Sequence, residues 1–280
     1  MPDLHADTAP RPPRNWRMIV PSVVTLTNGT CGFAAIVLIS RLQFDPLTRA
    51  YQNPELLVMA GWLLLVGFVC DMFDGMAARM LKASGPFGAE LDSLCDVISF
   101  GVAPAVAVAA VTRTAHIPWL VTAGGICGGA LLIGAIVRLA RFNVENLNEE
   151  GGHLYFKGLP SPSAANAVVS LVLLESSLRH DSGWHRYISG DLAIWWADRL
   201  VEGLPFIALV IGLLMVSTFR YADLPKHYLK RLQPTWHLAV LAVVAALMGT
   251  AVALATLFVG YVAYRPIAAT VVRLSGKVDS

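Results

Sequence analysis

Apolar runs recur along this chain at the length a helix needs to cross a bilayer, and two of them carry aspartates. The runs cover roughly residues 19–40, 56–78, 89–111, 118–137, 162–178 and 203–217, followed by a longer stretch from 237 to 264. About 20 apolar residues in a helix span the hydrocarbon core. A composition of 56% hydrophobic and 14% charged residues, with mean hydropathy +0.60, is too apolar for an ordinary soluble domain. The expected fold is therefore all-α: a polytopic membrane bundle of six to eight transmembrane helices. The last stretch is long for one span and short for two, with Gly249-Thr250 or Gly260 as break points.

Basic residues set the expected orientation. With the N-terminus in the cytoplasm, those of the tail (Arg11, Arg14, Arg17) and of the segments 79–82, 138–157 and 220–231 lie inside. They outnumber Arg41, Arg49, Arg113, Arg179, Arg186 and Arg199 opposite, as the positive-inside rule requires. Arg265, Arg273 and Lys277 join the majority only if the final stretch crosses twice, which favours eight spans over seven. Residues 1–18 are rich in Pro and Arg without an apolar core, and read as a cytosolic tail rather than a signal peptide. Residues 19–235 read as the membrane domain and 236–280 as C-terminal spanning segments with a short tail. Cys31, Cys70, Cys95 and Cys127 are scattered singly, in no metal-ligand or disulfide spacing. A net charge of +2 gives no sign of a nucleic-acid partner. The Trp184–Trp196 region reads as interfacial, lying along the outer membrane surface.

Asp71, Asp74, Asp92 and Asp96 lie inside the second and third runs. A carboxylate at membrane depth costs several kcal/mol unless compensated, which makes it a functional candidate. At about 100° per residue, Asp71, Asp74, Gly75 and Ala78 share one arc of the second helix, with Arg79 at its edge. Gly88, Asp92 and Asp96 recur every four residues on the third, with Ser99 on the same side. A short turn, 82–86, joins the two helices, so the two stripes are expected to face one cytoplasm-facing cleft as antiparallel neighbours. Carboxylate-only ligands suit hard cations, Mg²⁺ or Mn²⁺. Four of them suffice for two ions, an arrangement used in phosphoryl displacement. The small residues Gly75, Ala78 and Gly88 would let a bulky ligand approach the helices, although tight helix packing also uses small residues. Arg79 serves equally as a counter-charge or a phosphate contact.

The run D-x2-D-G-x2-A-R-x8-G-x3-D-x3-D, fulfilled at every fixed position across residues 71–96, resembles the signature of the CDP-alcohol phosphotransferases. Pro21–Asn28, Gly88–Leu94, Arg138-Leu-Ala-Arg141-Phe-Asn143 and Phe156-Lys-Gly-Leu-Pro-Ser-Pro162 are similar to segments of that family's bacterial serine-accepting branch. The likeness covers roughly residues 19–235. It implies transfer of a phosphatidyl group from CDP-diacylglycerol to an alcohol with release of CMP, in a cell (inner) membrane, by a homodimer. The resemblance implies that Asp71, Asp74 and Asp92 hold metal, and that Asp96 contacts a second ion and acts as general base. It also implies that Gly75 and Arg79 meet the diphosphate of CDP-diacylglycerol with Ser84 or Gly85 at its edge, that Ala78 and Gly88 belong to the same binding site, and that the Ser22–Thr25 segment, Thr25 included, approaches the cytidine.

The signature does not name the alcohol. Arg138, Arg141, Asn143 and Lys157 form a candidate acceptor site, although on residue types alone the arginines read rather as positive-inside anchors. The segments around them imply L-serine as acceptor; glycerol 3-phosphate and inositol phosphate are the alternatives within the family. Outside it, an intramembrane prenyltransferase or a cation transporter would also use intramembrane acids.

Overall fold

The computed structural model describes residues 16–48, 50–81, 86–148, 155–180, 188–222 and 249–274. Its helices are α1 (Trp16–Ser40), α2 (Glu55–Leu81), α3 (Pro86–Asp96), α4 (Ala103–Val111), α5 (Pro118–Asn148), α6 (Ser161–His180), α7 (Gly190–Val216) and α8 (Thr250–Leu274). The described residues also form two short antiparallel ribbons: β1 (Phe44–Asp45) with β2 (Ala50–Tyr51), and β3 (Tyr155–Lys157) with β4 (Arg220–Ala222). The expected all-α membrane architecture is thus observed. Among the described residues five helical rods are long and apolar enough to span a bilayer: Ser22–Ser40, Glu55–Gly75, Phe87–Thr114, Pro118–Glu145 and Gly190–Val216. They turn apolar stripes outward, as Met59, Trp62, Val66, Val69 and Phe73 do on α2 and Phe87, Leu94 and Ile98 do on the third rod.

The third expected span is not a uniform helix. Between α3 and α4, Val97–Val102 widens into a π-helical stretch. Pro104 sits just beyond and has no N–H for the helical ladder, so the local widening absorbs the missing bond.

The fifth run, expected at 162–178, forms α6, but α6 is the buried centre of the bundle rather than a lipid-facing rod. It packs against α2, α4, α7 and α8. Ser161, Ser163, Asn166, Ser170, Glu175 and Ser176 are all buried, which its composition allows because neighbouring helices replace lipid. The sixth span corrects the reading of 203–217: α7 starts thirteen residues earlier, at Gly190, and absorbs Trp195 and Trp196. Ser189 caps it by accepting from the Leu192 amide. Residues 184–187 of the expected surface segment lie outside the described residues.

The far end of the bundle is tied by polar contacts. Arg179 of α6 bonds Glu175 at 2.8 Å and Asp198 of α7 at 3.0 Å. The Tyr51 hydroxyl donates to the Ala110 carbonyl at 2.6 Å, and burial pushes its phenol up to about 12. Gly249, at φ +90°, opens α8, as one of the two expected break points requires; the helix runs straight through the other, Gly260. Val252 of α8 packs at the far end with Leu178, Ala193 and Ala197. Six residues on, Phe258 meets Phe68 of α2 edge-on at 5.8 Å. The last helix therefore runs from the far end toward the aspartates, parallel to α2.

The opposite end is set by the Phe156–Pro162 segment. Gly158 has φ +86°, donates its N–H to the Phe219 carbonyl at 2.8 Å, and leaves no room for a Cβ beside the Met215 carbonyl. This turn seats Leu159 in the core and delivers Ser161 to the start of α6. Gly158→Ala is expected to lose more than about 1 kcal/mol of stability, since the left-handed backbone and the contact both oppose a Cβ. A thermal melt in detergent measures it.

Candidate active site

Helix α1 organises the aspartates. It packs along α2 and also along α3 and the π-helical stretch. Gly29 and Gly32 face Cys95 and Ser99 so closely that a side chain at either would collide with them, the small-residue approach expected between membrane helices. Backbone contact between α2 and α3 themselves is slight by comparison. The expected pairing of these two helices is therefore made by their carboxylates across a gap rather than by packed backbones.

Asp71, Asp74 and Asp92 each place a carboxylate oxygen within 4.8 Å of the other two. Asp74 is 5% exposed and accepts from the Thr25 hydroxyl. Asp74 Oδ2 and Asp92 Oδ1 are buried with no hydrogen-bond partner among the described residues. Buried oxygens facing one another without donors are strongly unfavourable, and a divalent cation is the partner this oxygen-only donor set fits. Asp96, 6% exposed, stands beside this trio within hydrogen-bonding reach of Asp71. Its Oδ1 accepts from Nδ2 of Asn28 at 3.1 Å. At Gly88 an added Cβ would meet nothing within 4 Å among the described residues. Gly75 lies on the same helix one residue from Asp74. The side chains of Ala78 and Arg79, and Ser84 altogether, lie outside the described residues.

The acceptor residues divide. Arg138 is buried, donates to Ser161 Oγ at 3.1 Å and lies over Phe142 at 5.6 Å. It is near enough to Asp71 and Asp96 to act on both electrostatically, and Tyr261 of α8 is a further neighbour. Arg141 turns elsewhere, to Glu145 at 3.2 Å and toward the Val216 carbonyl at 3.4 Å, tying α5 to the end of α7. Asn143 exchanges hydrogen bonds with Ser93 of α3 at 2.9 Å and 3.2 Å. Lys157 pairs with Arg220 in the ribbon register; its side chain lies outside the described residues.

Asn28 is the site residue that the sequence reading leaves without a role. Its signal is the spacing of Ser22, Thr25 and Asn28, polar residues three apart along one edge of the first span, with Gly29 and Gly32 following.

Fold and site together define a polytopic helical membrane protein with a carboxylate centre at one end of the bundle. The model of the CDP-alcohol phosphatidyltransferase family matches residues 18–197. The chain belongs to that family. It is similar to the CDP-diacylglycerol–serine O-phosphatidyltransferase of Helicobacter pylori, at 32% identity over 216 residues covering 76% of each chain. An enzyme of the same name from Mycobacterium tuberculosis is 31% identical, over 81% of this chain and 69% of its own. The one from Bacillus subtilis is 32% identical, over 54% of this chain and 74% of its own.

Proposed function

We propose that this protein transfers the phosphatidyl group of CDP-diacylglycerol to the hydroxyl of L-serine, forming phosphatidylserine and releasing CMP. The observation that carries the reading is the Asp71–Asp74–Asp92 trio, with two buried oxygens lacking partners, set on the family motif. The trio would hold Mg²⁺ or Mn²⁺, two ions with Asp96 included, and a cation bound there would neutralise the diphosphate and stabilise departing CMP. Asp96 takes the proton from the serine hydroxyl as its oxygen bonds to the β-phosphorus and the bond from that phosphorus to CMP breaks. Gly75 and Gly88 would leave room for the diphosphate, Ala78, Arg79 and Ser84 are assigned to the CDP-diacylglycerol site by their positions in the motif alone, and Thr25 would orient Asp74 beside the nucleotide.

Serine is supported by the names of the relatives and by Arg138, a buried guanidinium beside the base that suits a carboxylate. Arg141 and Asn143, already engaged within the bundle, support α5 rather than the acceptor. The water solubility of serine and CMP supports a site at the cytoplasmic face of a cell (inner) membrane, and the working unit is proposed to be a homodimer.

Purified protein given CDP-diacylglycerol, Mn²⁺ or Mg²⁺ and a panel of alcohols tests the reading by CMP release. Release with serine supports it. Release only with glycerol 3-phosphate or inositol phosphate overturns serine, and none with any alcohol overturns the reaction. In the same assay Arg138→Lys is expected to raise the serine KM at least about tenfold, the equivalent of one charge-assisted hydrogen bond. The KM for CDP-diacylglycerol should stay unchanged.

A further inference from the structure

We infer that Asn28 is a positioning residue that fixes the orientation of Asp96, and that Gly67 exists to make room for it. The inference rests on the proposal that Asp96 receives the acceptor proton. Asn28 is 0% exposed. Its Nδ2 donates to Asp96 Oδ1 at 3.1 Å, and its main-chain carbonyl accepts from Ser99 Oγ at 2.9 Å. Both the side chain and the backbone of this residue are thus joined to the rod that carries Asp96.

The other end of the amide is the informative one. Among the described residues Asn28 Oδ1 has no hydrogen-bond partner, and it lies against Gly67 of α2, where an added Cβ would stand 3.0 Å from it. An ionised carboxylate only accepts hydrogen bonds, so the NH₂ end must face Asp96, and the carbonyl is left stranded. A buried acceptor without a partner is destabilising, and an apolar side chain of the same shape would avoid that cost. An amide kept here is explained by a need for its donor. That donor holds one oxygen of Asp96 and leaves the second to receive the proton. Thr25, one turn earlier on α1, donates to Asp74. The first helix therefore supplies a separate donor to the cation-holding trio and to the base, a division that packing alone does not require.

Asn28→Leu and Asn28→Asp both keep the shape and remove the donor. Each is expected to lower kcat about 10–100-fold, as for other groups that orient a working side chain through one hydrogen bond. Binding of CDP-diacylglycerol, measured by thermal shift, should stay within twofold, as should its KM. Asn28→Ser, which restores a short donor, is expected to recover part of kcat. A space-filling role would leave kcat intact in the Leu variant and lost in the Ser variant, and that pattern overturns the inference. Should neither isosteric variant be recovered folded, Gly67→Ala decides. It presses the amide from behind without touching a charge, so a fall in kcat supports the inference and unchanged kcat overturns it. Rates are read as ratios to wild type with whichever alcohol is turned over. Wild type inactive with every alcohol overturns the reaction and this inference together, whereas active wild type with unaffected variants overturns this inference alone.

Discussion

Asp96→Asn is expected to reduce CMP release about 10²–10⁴-fold, the usual contribution of a positioned general base. The substitution is isosteric, and an asparagine oxygen can still accept the 3.1 Å bond from Asn28. Asp71, Asp74 and Asp92 are untouched and keep their mutual spacing. CDP-diacylglycerol should therefore still bind, measurable by calorimetry in nanodiscs, and only the transfer step should fail. Loss of binding together with turnover would move Asp96 from base to ligand anchor. Substantial residual turnover would remove it from both roles.

Withdrawal of divalent cations should be at least as severe, and reversible. Electrostatic stabilisation of a transferring phosphoryl group by a bound cation amounts to several kcal/mol. At about 1.36 kcal/mol per decade, a chelator should suppress CMP release more than about a thousandfold. Added Mg²⁺ or Mn²⁺ should restore it. The structural ground is the pair of buried oxygens on Asp74 and Asp92, which a cation of this size and hardness would satisfy. Asp92→Asn should need far more cation than wild type for the same rate, because it removes one of three converging charges. Full activity in chelator would contradict the assignment of the trio.

Features that depend on short stretches of sequence are readable without a structure. The four aspartates reveal themselves because their spacing sets them on helical stripes inside apolar runs, and Gly249 announces the break before α8. Roles that depend on which helix ends up beside which are not readable in this way. The run at 162–178 has a span's length, yet its serines and Asn166 belong to a central helix surrounded by protein. The start of α7 at Gly190 is masked by Asp191, Trp195, Trp196, Asp198 and Arg199, which resemble an interfacial segment until Asp198 is seen to receive Arg179. Arg141 and Glu145, four residues apart on one helix, are legible as an ion pair, and that spacing argues against Arg141 as an acceptor ligand. Asn28 is visible only as the last residue of a polar edge on the first span, and its partners are not, because Asp96 is 68 residues away in the chain and Gly67 lies on another helix.

The exposed apolar residues beside the acids carry a kinetic consequence. Met72 and Phe73 follow Asp71, and Phe87 and Leu94 flank Asp92, all turned outward. On the proposed reaction, the diacylglycerol moiety can reach the carboxylates sideways from the leaflet without its chains entering water. The relevant concentration is then the mole fraction of CDP-diacylglycerol within the membrane plane. Diluting substrate with inert lipid or detergent at constant bulk amount should slow the enzyme, while diluting the whole suspension should leave the rate per enzyme nearly constant.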